Sequence, residues 1–422
     1  MSAAASGPWP ERYNRCMRQR FVEIEQALRA DVLDDLPRAA RDAGAALASM
    51  LRPGARVAVA CGSRGIDGIG TIVSGVVSAL LSAGLRPFVV PGMGSHGGAT
   101  AAGQLEVLAG FGLTEASLGA PIRAGLEVEQ VASLPGGVPL YFSRAALDSD
   151  AVIPVNRVKL HTTLRAPLGS GLMKMIALGL GHELGARALH AAGLQEHVVP
   201  AARELLARVP IHGGVAIVEN GEGRVAHLEA VPAAAIPERD LELLALSRSY
   251  MPAIPVDPLD VLVVRQMGKN VSGTGMDPNV VGLHRRQGGV PDRHISTLVA
   301  LDLTEESHGN ATGVGMADLI TDRLRDKIVW PVTKTNCLTS GFVAGMKLPL
   351  SLPSDREAIE TAALLHDRQP LRAAIIQDTL HLRRMWISEA LLDEAARNPA
   401  LRVLGHPVEL EFQPDGGLAL RA

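Results

Sequence analysis

The chain has 422 residues, 47% of them hydrophobic and 20% charged, which is enough to bury the cores of two domains or three. Its formal net charge is −3, and it holds three Trp, three Tyr and six Phe, so neither phosphate-driven nor stacking-driven binding of nucleic acid is expected. The cysteines Cys16, Cys61 and Cys337 are too few and too far apart for a disulfide framework or a cysteine-based zinc site.

The amino terminus lacks the basic start and apolar core of a secretory signal. The longest uncharged run, from Gly68 to Leu85, is long enough to raise the question of a membrane span. Ser74, Ser78 and Ser82 recur every four residues in it and instead predict a buried helix with one mildly polar face. We therefore predict a cytoplasmic protein without a membrane partner.

Short apolar runs that alternate with helical segments predict an α/β fold. Val57–Cys61 and Pro87–Val90 have the character of buried strands, and helices are predicted at about 67–83 and 99–109. Strands and helices in this order form parallel sheets with right-handed crossovers. Further predicted strands are Ala151–Val155, Val215–Val218, Leu262–Val264 and Leu298–Leu301.

The stretch 251–258 contains three prolines and predicts a linker. We therefore predict an amino-terminal α/β domain at residues 1–250 and a carboxy-terminal α/β domain at 251–422. Both domains would have mainly parallel sheets, with an active-site cleft between them. In the second domain a helix is predicted at about 316–328, and Ser354-Asp-Arg-Glu357 predicts a capping box at the start of another helix.

Active sites of parallel sheets lie in loops that follow the carboxyl ends of the strands. Arg64 follows the first predicted strand, where its guanidinium could hold a carboxylate or phosphate or could simply face solvent. The second loop contains Gly92, Gly94 and Gly97 in the dinucleotide-binding pattern G-x-G-x-x-G. It also places His96 in the tight turn, which suits proton transfer better than contact with a pyrophosphate.

A third polar loop follows the strand at 151–155. It contains His161, and the backbone around Ser170 offers hydrogen-bond donors for an anion. Lys174 stands in an apolar run, where an ammonium is usually paired, neutral, covalently modified or at the edge of a helix with its head in water. His190 follows 16 residues later.

The fourth candidate group is Gln266 and Lys269, which follow a predicted strand of the second domain and would face the cleft. The chain has only six lysines, and a lysine retained in so arginine-rich a sequence is more often one whose amine is needed. Lys159, Lys174 and Lys269 are therefore candidates for chemistry.

Taken together and in this order, these residues resemble the nickel-dependent lactate racemase family, which uses a nickel pincer nucleotide. The similar positions extend over about residues 55 to 345. They are Ser63, Arg64, Gly94, Ser95, His96, His161, Lys174, His190, Gln266 and Lys269.

The resemblance implies a role for each residue. Lys174 would be joined to the cofactor through a thioamide, and His190 would ligate nickel. His96 and His161 would be the acid/base pair. The remaining cofactor contacts would be Ser63, Arg64 and Ser170, and the substrate contacts would be Arg64, Gln266 and Lys269.

The segment from His161 to Lys174 is a few residues longer than in lactate-specific members of that family. This difference leaves Lys159 as an alternative for the cofactor lysine and leaves the 2-hydroxy acid open, from lactate or malate to a sugar acid. Two other functions are left open: an NAD(P)-dependent oxidoreductase and a non-catalytic protein that binds an anion or nucleotide. A homo-oligomer is compatible with the sequence.

Overall fold

The structure is a computed structural model that describes residues 19–63, 65–162, 164, 169–286, 289–366 and 370–420. The chain divides into two compact units. One is formed by residues 29–251, and the other by residues 252–422 together with the segment that ends at Leu28. The division falls between Met251 and Pro252, where the proline-rich linker was predicted to begin.

The described residues form seventeen strands. They are β1 (Arg20–Gln26), β2 (Arg56–Cys61), β3 (Arg86–Pro91), β4 (Val128–Ser133), β5 (Pro139–Ser143), β6 (Ala151–Arg157), β7 (Lys159–Leu160), β8 (Gly169–Ser170), β9 (Gly213–Glu219), β10 (Val225–Pro232), β11 (Leu259–Val264), β12 (Ile295–Ala300), β13 (Leu319–Thr321), β14 (Leu350–Leu352), β15 (Ala373–Ile376), β16 (Arg384–Ser388) and β17 (Leu401–Glu409).

The α-helices of the described residues connect these strands. They are α1 (Leu36–Ala48), α2 (Ile69–Ser82), α3 (Ala101–Gly110), α4 (Glu115–Leu118), α5 (Arg144–Leu147), α6 (Leu172–Ala177), α7 (His182–Ala192), α8 (Leu194–Arg208), α9 (Ile236–Tyr250), α10 (Pro278–Val281), α11 (Asp322–Asp326), α12 (Trp330–Thr339), α13 (Asp355–Leu364) and α14 (Leu392–Arg397).

The unit of residues 29–251 is built on a five-stranded sheet in the order β10-β9-β6-β2-β3. Strands β9, β6, β2 and β3 are parallel, and β10 pairs antiparallel with β9. Alternate residues of β2 enter two different cores, with Ala58 and Ala60 in one and Val57 and Val59 in the other. A strand covered on both faces is apolar throughout, which is why this run was recognisable in the sequence.

The uncharged run that raised the membrane question contains helix α2, which has 14 residues and packs in the core beside β2. Within the part of the chain that the structure describes, no helix combines the length and the apolar character that crossing a membrane requires.

The second unit contains an eight-stranded sheet in the order β14-β13-β12-β11-β15-β16-β1-β17. Its strands from β14 to β15 are parallel, whereas β16, β1 and β17 pair antiparallel with their neighbours. The amino-terminal strand β1 lies inside this sheet, although the sequence assigned it to the first domain. Its partners lie more than 350 residues away, and no local pattern reveals such a pairing.

Two local predictions in this unit had different outcomes. The helix predicted at 316–328 is wrong in its first half, because Leu319–Thr321 is strand β13 and only Asp322–Asp326 is helical. The predicted helix start is confirmed but the capping box only in half: the Ser354 hydroxyl accepts the Glu357 N–H at 3.3 Å, whereas the Glu357 carboxylate accepts from that hydroxyl at 3.0 Å and not from the Ser354 backbone N–H.

Candidate functional site

Three loops with predicted site residues leave the same edge of the five-stranded sheet. Strands β6, β2 and β3 are neighbours and parallel, so the segments after their carboxyl ends emerge side by side. Ser63 follows β2, His96 follows β3, and His161 follows β6 and the short strand β7. The helix α2, which follows β2, packs in one core, and the helix α6, which follows β6, packs in the other. Helices on opposite faces after neighbouring strands are the arrangement that opens a crevice in sheets of this kind.

Helix α6 packs against the loops after β2 and β3. A Cβ atom placed on Gly62 would lie 3.2 Å from Cε of Met175, and one on Gly92 would lie 3.2 Å from its Sδ. The Gly94 N–H also donates to the Gly179 carbonyl oxygen at 3.0 Å, just beyond the end of α6. The helix that carries Lys174 is therefore in direct contact with the loops that carry Ser63 and His96.

The side chains of Ser63 and His96 meet across two of these loops. The Ser63 hydroxyl is hydrogen-bonded to Nδ1 of His96, whose residue is otherwise exposed to solvent. This bond occupies Nδ1 of the ring.

His161 is anchored differently. Its Nδ1 accepts the Leu164 backbone N–H at 3.2 Å, so the neutral ring carries its proton on Nε2. The preceding strand β7 pairs with β8, which sets Lys159 opposite Ser170 at the start of α6. This pairing keeps Lys159, the alternative cofactor lysine, close to the helix that carries Lys174.

Lys174 and His190 influence each other electrostatically although they lie on different helices. The pKa of His190 is lowered from 6.5, first by partial desolvation of its ring and second by the Lys174 ammonium. The residue as a whole is exposed. The lowered pKa favours the neutral form of His190, the form that binds metal ions.

A buried carboxylate that the sequence analysis missed fixes the start of α6. Asp240, on α9, accepts the backbone N–H groups of Leu172 at 3.1 Å and Met173 at 2.8 Å. Burial raises the pKa of Asp240 to about 6 despite these two bonds. Its side chain, Ser170 and Lys174 line one cavity of about 10 Å³. Asp240 thus sets the position from which Lys174 extends.

Two more buried polar residues near the loops were also missed. Gln104 of α3 is fully buried and donates to the carbonyl oxygens of Gly94 at 3.3 Å and His96 at 3.4 Å. His182, at the start of α7, is 2% exposed, and neither ring nitrogen has a hydrogen-bond partner among the described residues. Burial lowers the pKa of His182. The sequence held one sign that Gln104 is buried: it lies four positions before the core residue Leu108 and therefore on the same face of α3.

The glycine loop after β3 does not leave the following helix open in the way a dinucleotide site does. Thr100 caps α3 by accepting the Gly103 N–H at 3.1 Å. A Cβ atom on Gly103 would lie 2.0 Å from the Gly97 carbonyl oxygen, so the loop itself rests on the first turn. In a dinucleotide site the pyrophosphate approaches this part of the helix.

Gln266 and Lys269 belong to the second unit, at the carboxyl end of β11. The Gln266 side-chain oxygen accepts from the Gln377 amide at 2.9 Å. The Lys269 ammonium donates to the side-chain oxygen of Asn336 at 2.8 Å and to the Gly273 carbonyl oxygen. Arg64, the remaining predicted contact, lies outside the described residues.

No protein-family model matches the sequence, and no curated protein matches it either. Among the solved structures that match are two of low sequence identity. A protein from Thermotoga maritima is 13% identical, covers 76% of this chain and 84% of its own, and has a TM-score of 0.49. The lactate racemase apoprotein from Thermoanaerobacterium thermosaccharolyticum is 10% identical, covers 85% and 98%, and has a TM-score of 0.48. At this distance the activity has to be argued from the residues.

Proposed function

We propose that the chain is a racemase or C2-epimerase of 2-hydroxy acids that works with a nickel pincer nucleotide. The observation that carries the proposal is the packing of α6 against the loops after β2 and β3. It gathers the Ser63–His96 pair and the helix of Lys174 at one sheet edge, while Lys174 acts electrostatically on His190. These are the residues on which the resemblance to the racemase family rests.

The residues fit the cofactor by the chemistry of their donor atoms. Lys174 would hold the nucleotide covalently, and His190, whose neutral form is favoured first of all by desolvation, would ligate the nickel. Among the described residues no three His, Cys, Asp or Glu side chains form a metal cage, so a nickel ion at His190 would take its other ligands from an organic group. A flat pincer and one imidazole suit the tetragonal geometry that nickel favours. When bound, the cofactor would supply an electron-poor acceptor for the substrate's hydride.

The chain's own residues would move the proton of the substrate hydroxyl. Removing that proton is far easier than removing the one on the carbon beside a carboxylate. His96 would take it at Nε2, since its Nδ1 is bonded to Ser63. His161, with its proton on Nε2, would donate a hydrogen bond to the substrate oxygen on the other side, and it could act as a base there only after its bond to Leu164 opens.

We propose that the substrate carboxylate and hydroxyl are held by Arg64, Gln266 and Lys269. Ser170 stays a proposed cofactor contact, next to Lys174 in the small cavity. Ser63 would contact the cofactor, as the resemblance implies, and would also be the hydrogen-bond partner of His96. The substrate would be a 2-hydroxy acid, from lactate or malate to a sugar acid.

The test is the interconversion of enantiomers. Protein produced in cells that also make the cofactor is incubated with single enantiomers of lactate, malate and sugar acids, and the products are separated by chiral chromatography. We expect one acid to racemise or epimerise, His96→Ala and His161→Ala to abolish the reaction, and His227→Ala, whose ring is bonded to Glu229 on β10, to leave it intact. Nickel-loaded protein that converts none of these acids would refute the proposal.

A further inference from the structure

Two other residues form hydrogen bonds to His96 and its loop, one to the ring and one to the backbone. The Ser63 hydroxyl bonds its ring at Nδ1 from the loop after β2. The side-chain amide of Gln104 donates to the backbone of the same loop, at the carbonyl oxygens of Gly94 and His96. The tautomer of a neutral histidine is set by the hydrogen bond that its ring nitrogens make.

We propose that Ser63 and Gln104 are positioning residues that hold His96 with its Nδ1–H directed at the Ser63 hydroxyl, so that Nε2 is the nitrogen that exchanges a proton with a ligand. The orientation itself is independent of the proposed function, whereas its consequence for catalysis rests on that function.

The choice of a hydroxyl partner has a chemical consequence. The oxygen of Ser63 can accept the Nδ1–H both when His96 is neutral and when it is an imidazolium. The bond therefore persists while Nε2 gains and then loses a proton, and the ring does not have to turn between the two steps. A reversible reaction needs this property, since His96 acts as a base in one direction and as an acid in the other.

Gln104 contributes through the backbone. It is fully buried, and a buried amide is costly unless its donors are used. Both of its bonds go to carbonyl oxygens of the loop that carries His96, while its own Oε1 has no partner among the described residues. The donors rather than the acceptor thus account for a glutamine at this position, and Gln104→Glu would lose them with almost no change in shape.

The experiment uses the full chain without cofactor, labelled with ¹⁵N-histidine. Long-range ¹H–¹⁵N correlation spectra distinguish the two tautomers, and His96→Gln identifies the signal of His96. We expect the Nδ1–H tautomer in the wild type, a shift toward the Nε2–H form that free histidine favours in Ser63→Ala, and recovery in Ser63→Thr. Gln104→Glu should broaden or divide the signal. An Nε2–H tautomer in the wild type, or a spectrum that Ser63→Ala leaves unchanged, would overturn the inference.

A kinetic arm separates this inference from the proposed function. In active protein, Ser63→Ala should lower kcat by about 10- to 100-fold with little change in KM, as is typical when a group that orients an imidazole is lost, and Ser63→Thr should restore it. If the protein has no racemase activity but the tautomer results hold, the positioning stands and the proposed function fails. If activity is present and the tautomer results fail, only the positioning is refuted.

Discussion

The carboxylate of Asp240 accepts the backbone N–H of Met173 at 2.8 Å, and this bond ties α9 to the first turn of α6. Burial raises the pKa of Asp240 from an ordinary 3.8 to about 6. Between these two values the unfolded chain has released a proton that the folded protein keeps. The stability that Asp240 contributes must therefore fall as the pH rises through this window and stay constant above it.

Asp240→Asn should remove this pH dependence, because the amide does not titrate. The pKa of Asp240 differs by about two units between the unfolded and the folded chain. Between pH 4 and 7 the free energy of unfolding of the wild type should therefore fall by ~3 kcal/mol relative to that of Asp240→Asn. Urea unfolding at several pH values measures the difference. A constant difference between wild type and Asp240→Asn across this pH range would contradict the raised pKa of the buried carboxyl.

Lys174 should control the ionisation of His190. Removing the ammonium in Lys174→Met should raise the pKa of His190, since one of the two causes that lower it disappears. Lys174→Arg keeps the positive charge and should leave that pKa depressed. Titration of the ring proton signals by NMR measures both variants. Equal pKa values for His190 in the two variants would mean that the two side chains do not interact.

Two neighbouring glycines separate backbone strain from close packing in the His96 loop. Gly97 and Gly98 both have φ +66°. A Cβ atom on Gly97 would lie 2.8 Å from the backbone nitrogen of Gln104, whereas one on Gly98 would meet nothing within 4 Å. Gly98→Ala should therefore cost ~1 kcal/mol, the cost of the left-handed conformation alone. Gly97→Ala should cost at least about 1 kcal/mol more, because of the clash. Urea unfolding that shows equal losses would argue against this packing.

The two histidines should respond differently to glutamine. His161 offers Nε2–H as a donor, and the amide of His161→Gln can replace that donor, so we expect part of the activity to remain. His96→Gln removes the proton acceptor and should lower kcat by about 10²–10⁴-fold. Steady-state kinetics with both enantiomers measure the contrast. Similar losses in both variants would indicate two equivalent bases.

The sheet edge that carries the candidate site was predictable from the sequence, and its contacts were not. The apolar runs of β2, β3 and β6 are recognisable because both faces of a parallel strand are covered. Polar residues after such strands are candidates by position. The bond between Ser63 and His96 depends on β2 and β3 being neighbours in register, which is a tertiary property.

Other features could not be predicted from the sequence because they depend on contacts between residues far apart in the chain. Asp240 stands among polar residues at the start of α9, and only the fold reveals that its carboxylate is buried under α6. Strand β1 finds its partners across almost the whole chain. The triplet at 319–321, Leu-Ile-Thr, is too short for its periodicity to distinguish a helix from a strand, and the parallel pairing with β12 decides for the strand.

The most direct test of the central claim is the mass and the nickel content of the protein purified from cells that make the cofactor. We predict about one nickel per chain and a mass increase that peptide mapping assigns to Lys174. Lys159→Ala should keep both, and Lys174→Ala should lose both. A chain that carries neither nickel nor added mass, or that carries the modification on Lys159, would contradict the assignment of Lys174 and His190 to the cofactor.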